Sequence, residues 1–479
     1  MGRILSLLKA AAGERSLHGK LGAWRLAVSE KLDSLTGGGG SALLEFFNQG
    51  VSIGNFARVN FTGAGVNASI AGNVVDVTIP GGGSASLCGV NAYVLQATWF
   101  VNAVTGSDIN DGFTPATALL TITELACRLN DRSILQDTTI TLEGDFSLQD
   151  LHVRLAPAPN TTTTIVGTPS ASATRTVSAF TPYDETAHTA AVLDTTPGVL
   201  NTFPNQRVRD SATGAVGWLL AFPSATTATT SYFTDIFNTD TVLNPGDTEF
   251  IEDVTATQLG WIDVENVGSG DVVIRDLAIV PQVDKPMTAK GGVATNASSL
   301  GRLTFFGVQF PFNVGQQSFQ DSNADFIGCM WVSGVPTFST GVYRMGGPAF
   351  QSCTPVLQAG CWANMDRVVN RAGGFQMTGG AQATVVNHGF ITVGGSGGVD
   401  IGDMAFYRFS GRMWQTSAFI APVSYGIDVH NGGGVYYGAN KPELTGAVSD
   451  THVGGTDKLY AAIPYTDALN LSRIVASTT

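Results

Sequence analysis

Seven short strings recur down the C-terminal half of the chain, and their spacing limits the fold more than any other feature. They read "IRDLAIV", "FFGVQFP", "FIGCMWV", "FQSCTPV", "FQMTGGA", "VDIGDMA" and "IDVHNGG". The apolar residues that open them are Ile274, Phe305, Phe326, Phe350, Phe375, Val399 and Ile427, at intervals of 31, 21, 24, 25, 24 and 28 residues. Repeats of this length, made of strand-forming residues, predict a solenoid in which each turn of chain stacks on the last. Equivalent side chains then touch across roughly 4.8 Å. The fourth positions, Leu277, Val308, Cys329, Cys353, Thr378, Gly402 and His430, are mostly small or apolar and are assigned to the interior, with Cys329 over Cys353 as a core ladder. The second positions, Arg275, Phe306, Ile327, Gln351, Gln376, Asp400 and Asp428, are assigned to the outer face.

The rest of the composition agrees with an all-β chain. Only 13% of the 479 residues are charged and 58 are Gly. Thr, Val, Asn and Phe fill the positions where a helical protein would carry Glu, Lys and Leu. A net charge of −13 excludes a nucleic-acid wrapper, because phosphate binding needs a concentrated basic face. Five cysteines without a CxxC make neither a disulfide framework nor a zinc site, so reduced, buried thiols and assembly in a host cytoplasm are expected. No cofactor or metal is expected. The apolar run near Ile4 to Leu8 is too short to insert in a membrane.

Three regions precede or make up the repeat. Residues 1–36 form a basic, amphipathic stretch in which Leu17, Leu21, Trp24, Val28, Leu32 and Leu35 step by 4, 3, 4, 4 and 3, a helical seam. Such a helix either anchors the chain to its own copies and a larger assembly, or folds back on the same chain. After the Gly37 to Gly40 break, residues 41–83 read as a few short strands closed by "PGGG". Residues 93–479 make the body. Within it, 138–261 is looser and Thr-rich, either early coils with long excursions or an inserted β subdomain, and 262–479 carries the C-terminal coils.

Two strings carry a resemblance. "NFTGAGVNASIAGNVVDVTIPGGG" resembles a small β module of bacteriophage tail-fibre and baseplate proteins, through Asn60-Phe61, Gly63-Ala64-Gly65-Val66 and Val77 to Gly83. "FVNAVTGSDINDGFTPATALLTITELACRL" resembles the segment that opens right-handed parallel β-helix proteins of the pectin-lyase-like class, where a strand, a polar loop and a short helix cap the first coil. The cap is assigned to about 100–130, with a helix from about Leu120 to Leu129 over the open end. Asp108, Asn110 and Asp111 of that loop miss EF-hand spacing and read as a local turn. The resemblance implies a virion structural protein: a tail fibre, tailspike or head fibre, homotrimeric, joined to other virion proteins through its N-terminal region. It would present the β-helix to a host-surface polysaccharide or receptor.

Two rival functions remain open at this point. One is a tailspike depolymerase, a polysaccharide hydrolase or lyase. Its candidate catalytic residues are Asp400 and Asp428, which adjacent coils would bring to roughly 5 Å, near the spacing of a retaining glycosidase pair. Solvated carboxylates on an exposed face are the plain alternative. The other rival is a baseplate or capsid scaffold that never meets the host. His388 and His430, each beside an Asn, read as hydrogen-bonded turn residues. Phe306, Trp331, Trp362, Tyr407, Trp414, Tyr425, Tyr436 and Tyr437 are candidates for sugar stacking or subunit contact.

Overall fold

The structure is a computed structural model. It describes residues 93–179, 205–222, 228–280, 285–291, 301–311, 319–391, 397–401 and 405–415. Further strands are described at 44–48, 51–56, 67–71, 74–78, 425–429, 434–437, 449–453, 458–461 and 473–474. The anchoring seam from Leu17 to Leu35 lies outside the described residues. The chain divides into two compact units, Met1–Gly83 and Ser84–Thr479. The first contains two antiparallel hairpins. Leu44–Asn48 pairs with Val51–Phe56 across a bulge at Phe46 and Phe47, and Asn67–Ala71 pairs with Val74–Thr78. Each hairpin has two connecting residues, the length that tight hairpin turns favour.

The second unit is dominated by a 29-stranded sheet in which only one described pairing, Lys458–Ala461 with Arg473–Ile474, is antiparallel. Most strands pair in parallel with one two or three strands further on, and Asp145–Phe146, Leu151–Pro157 and Thr162–Gly167 with one eight further on, so the chain keeps returning to the same line. One line of Cα partners runs Trp99, Ile140, Ile165, Ile274, Phe305, Phe326, Met345, Met365 and Val385. Strand alternation explains the core. In Leu151–Pro157, Leu151, Val153, Leu155 and Pro157 are buried and the residues between them are not. Aromatic rings then stack level on level: Phe305 on Phe326 at 4.9 Å, Phe310 on Trp331 at 5.1 Å, Trp331 on Phe350 at 5.0 Å and Phe319 on Phe338 at 5.8 Å. Such pairs contribute about 0.5–1.5 kcal/mol each beyond the area they bury.

This register corrects the single frame expected from the repeat. Phe326 stands opposite Met345, whereas Phe350 stands opposite Trp331 and Asn370. Phe375, Val399 and Ile427 form a further line of their own. Each level carries several strands, each with its own apolar positions, so the frame slid from one line to the next. The Cys329 over Cys353 ladder fails for the same reason. Cys329 precedes the strand Met330–Val332, and Cys353 follows Ala349–Gln351 one level on, at a different corner. Both are nonetheless buried and free, as is Cys361. Burial pushes the Cys329 and Cys361 thiols up to about 12 and raises Cys353 as well. Cys127, in contrast, is disulfide-bonded, which overturns the expectation of reduced thiols throughout.

The helix Ile122–Leu129 packs on the strand Leu151–Pro157. Thr121 caps it by accepting from the Glu124 amide, and Ile122, Leu125, Ala126 and Leu129 join the core. The polar loop before it is bonded to itself. Asp108 accepts from the Leu120 and Thr121 amides and the Thr121 hydroxyl, Asp111 accepts from Phe113 N and Thr117 Oγ1, and Arg128 donates to the carbonyls of Asp108 and Asp111. The bonds from Thr117 and Phe113 hold the Asp111 carboxyl below the usual range.

Between Gly167 and Gln258 the chain leaves the parallel sheet. It forms a five-stranded sheet from Ser170–Thr176, Thr248–Asp253, Arg207–Asp210, Val216–Ala221 and Thr229–Thr230, whose described pairings are antiparallel. This insert lies along one corner of the body. Asp276, Gly307, Gly328, Gly347, Arg367 and Asn387 occupy that corner on six successive levels, all left-handed with φ between 56° and 62°. Gly suits such a conformation at no steric cost. Four of the six bond to the insert: Arg207 Nη1 bonds Asp276 Oδ1 and donates to the Gly307 carbonyl, Trp218 Nε1 donates to the Gly328 carbonyl, and Arg367 Nη2 donates to Asn238. A Cβ on Gly328 would sit 2.7 Å from Val216 Cγ2, so glycine also makes room for the insert. Among the described residues no helix is long and apolar enough to cross a membrane.

Candidate functional site

The most chemically distinctive surface is a strip on the outward face of consecutive parallel strands. One row of Cα partners runs Asn323, Val342, Trp362 and Gln382; the next runs Thr304, Asp325, Arg344, Asn364, Thr384 and Arg408. The inward neighbours Tyr343, Ala363, Ala383 and Tyr407 are buried and fix which side of each strand faces out. Trp362 is 59% exposed, and Arg344, Asn364, Gln382 and Arg408 are exposed around it. Asp325 is 2% exposed because two guanidiniums cover it: Arg302 bonds its Oδ2 and Arg344 Nε its Oδ1. The arrangement is a flat aromatic surface bordered by hydrogen-bonding groups on a rigid sheet.

Of the aromatic residues anticipated as contacts, Trp362 is therefore exposed, whereas Trp331, Phe306 and Tyr407 are buried. Trp331 and Tyr407 are fully buried in the core, and Phe306 is buried against the insert residue Val216. The side chains of Trp414, Tyr425, Tyr436 and Tyr437 lie outside the described residues; the backbone sets Tyr436 opposite Arg408.

The register sets Asp400 opposite Asp428, flanked by Gln376 on one side and His452 on the other. Gln376 Nε2 donates to Asp400 Oδ2 at 3.3 Å. Gln351, expected on the same outer line, belongs instead to the line of Val332 and Arg371, and Arg275, Phe306 and Ile327 to a third. Among the described residues no group of three or more His, Cys, Asp or Glu could hold a metal.

His388 is a core residue, not a turn residue. It is fully buried, its Nε2 lies 2.9 Å from Asn370 Oδ1, and its Nδ1 lies 3.0 Å from the Tyr407 hydroxyl. Because Asn370 Nδ2 donates to the Gly374 carbonyl, Asn370 Oδ1 is the acceptor for His388 Nε2–H, which leaves Nδ1 to accept from Tyr407. Burial pushes the imidazole down to about 3. His430 lies outside the described residues.

Sequence reasoning missed two charged clusters. Arg207, 1% exposed, pairs with Glu252 and Asp276 at the seat of the insert. Glu249 is fully buried in the insert, and neither carboxylate oxygen has a hydrogen-bond partner. Burial, then Asp210 and Asp247, push it up to about 8 against a smaller pull from Arg209. No local motif marks either residue.

These two buried groups set opposite limits on stability. The unfolded His388 takes a proton near 6.5 and the folded one only near 3. Stability therefore falls by about 1.4 kcal/mol per pH unit as pH drops across that window. Glu249 keeps its proton to about 8 when folded but loses it near 4.5 when unfolded, so its share of stability falls as pH rises from 4.5 to 8. The two slopes cancel between 4.5 and 6.5, and a plateau is expected there. Urea midpoints against pH should show a shallower fall below the plateau in His388→Gln, and a shallower fall above it in Glu249→Gln. Unchanged limbs in both variants would refute the assignment.

No family model matches the chain, and no curated protein matches it. Similar solved structures include a GH136 lacto-N-biosidase from Eubacterium ramulus, 11% identical, covering 76% of this chain and 68% of that one at a TM-score of 0.28. Another is XylC in complex with xylose, 10% identical, covering 77% and 72% at a TM-score of 0.26. At these TM-scores the likeness assigns neither fold nor activity to this chain.

Proposed function

We propose that the body is a right-handed parallel β-helix and that the chain is a virion attachment protein, a tail fibre, tailspike or head fibre that binds a host-surface saccharide. The repeated parallel return of the chain supports the solenoid, and parallel crossovers are right-handed in nearly all sheets. The resemblance of the module at 60–83 and of the cap supports the virion setting, the homotrimer and the anchoring role of residues 1–36. One observation carries the binding reading: an exposed Trp362 set among Asn364, Gln382 and arginines on a rigid face. A sugar ring stacks on an indole while its hydroxyls bond to such neighbours. Adsorption of purified protein to host cells is expected to fall at least about tenfold, or about 1.4 kcal/mol, in Trp362→Ala. Equal adsorption by the variant would remove the reading.

The pairing of Asp400 with Asp428 favours a second reading, hydrolysis of that saccharide. In a glycosidase of this kind one carboxyl of such a pair serves as acid and the other as nucleophile or base. If so, purified protein releases new reducing ends from host polysaccharide, and Asp400→Asn lowers that rate by at least about a hundredfold. Cleavage that survives the substitution sinks the pair.

A further inference from the structure

We infer that the saccharide bound at the Trp362 strip is uncharged and that the ring seated on the indole carries a methyl group, as an N-acetyl or a 6-deoxy sugar does. The inference rests on the attachment reading and adds the chemical class of the ligand.

The charges of the strip are answered within the protein. Arg302 and Arg344 both pair with Asp325, and the Asp271 carboxylate accepts from the Arg302 backbone amide at the same end. Arg408, at the other end, is engaged as well. An acidic sugar would find these guanidiniums already committed, and it would approach a chain of net charge −13, which repels anions at long range. A basic sugar fares no better, because Asp325, the carboxylate of the two rows, is covered.

The groups next to the indole are of another kind. Val342 stands one level before Trp362 in the same row and is 38% exposed, Gln382 stands one level after it, and Asn364 lies two residues along the same strand. The Asn364 and Gln382 side chains are exposed, and neither is hydrogen-bonded to a described residue. A side-chain amide offers a donor and an acceptor together, the match for neighbouring hydroxyls of an uncharged ring.

Order along the row gives the ring its second property. The row passes from apolar at Val342 to aromatic at Trp362 to amide at Gln382. Two steps of the inter-strand distance come to roughly 10 Å, enough for one sugar ring with a substituent on each side. A ring stacked on the indole with its hydroxyls toward Gln382 and Asn364 sets its opposite edge against Val342. A hydroxyl on that edge would lose water and gain no partner from the valine, whereas a methyl group buries apolar surface there.

The test is saturation-transfer NMR on the full chain with four short probes. Chitotriose carries N-acetyl methyls, a rhamnose trisaccharide carries 6-deoxy methyls, maltotriose has neither, and trigalacturonate is anionic. One of the first two is expected to bind with its methyl protons receiving the strongest transfer, and its identity separates N-acetyl from 6-deoxy. Its affinity should change less than about twofold between low and high salt. It should fall at least about tenfold in Trp362→Ala, and several-fold in Val342→Ser with the methyl signal weakened most. Stronger binding of trigalacturonate, lost in Trp362→Ala, overturns the uncharged class and leaves saccharide attachment standing. Maltotriose bound as well as the methyl-bearing probes, or no response to Val342→Ser, overturns the methyl-bearing ring and also leaves attachment standing. Trp362-dependent adsorption to host cells with no probe bound overturns the inference alone. Binding of probes and cells that ignores Trp362 removes both.

Discussion

Trp331→Ala is expected to cost about 3–5 kcal/mol, the range for emptying a large aromatic site in a packed core. Trp331 is fully buried and stacked between Phe310 and Phe350, with Phe326 and Phe338 each 5.8 Å away. Removing the indole breaks the stack on both sides at once, and neighbours anchored to a regular backbone collapse little into the space. The comparison variant is Trp362→Ala, which is exposed and should change stability by less than about 0.5 kcal/mol. A denaturant series reads both. Equal midpoints for the two variants would mean that the two tryptophans are not on opposite faces of their strands.

Arg207→Met is the second large effect, expected near about 3 kcal/mol, the lower end for breaking a buried ion pair. Its guanidinium pairs with Glu252 and Asp276 and donates to the Gly307 carbonyl. The attraction of these carboxylates outweighs its desolvation and raises its pKa. Glu252 keeps Arg209 and Asp276 keeps Arg275, which is why the loss stays at the lower end. Because Arg207 joins insert to body, the variant should expose the insert to protease before the body. Arg207→Lys should not restore it, since one ammonium cannot meet two carboxylates and a carbonyl in a planar fork. Simultaneous digestion of insert and body in Arg207→Met would show that the residue does not hold the seat.

The strand-rich character and the short helix ending at Leu129 could both be read from local pattern. The line of partners beyond Phe326 could not. True partners there are Met345 and Met365, while Phe350, a neighbouring-strand aromatic, lies at a more familiar spacing. The faces of the tryptophans were hidden by a related ambiguity. Outside a known register, parity along a strand does not say which residues point inward. Around Trp331 the usual contrast is missing, because its outward neighbour Met330 is buried with Trp218 of the insert. The in-register pairing of Asp400 with Asp428 survived because its local frame from Phe375 to Ile427 followed one line. Arg207 and Glu249 are matched with residues far along the chain or with none, so no window of sequence could mark them.

The corner of left-handed residues has a consequence for how the chain folds. Partners within the parallel sheet from Phe305 to Val385 are 19 to 21 residues apart, so these levels can zip up from local contacts. The insert reaches across 100 residues to Gly307, 110 to Gly328 and 129 to Arg367. It is made early in synthesis but has nowhere to land until those later levels exist. Docking of the insert is therefore expected as a late step in folding, and the face that carries Arg207 and Trp218 waits uncovered on the nascent chain until the landing site has been built.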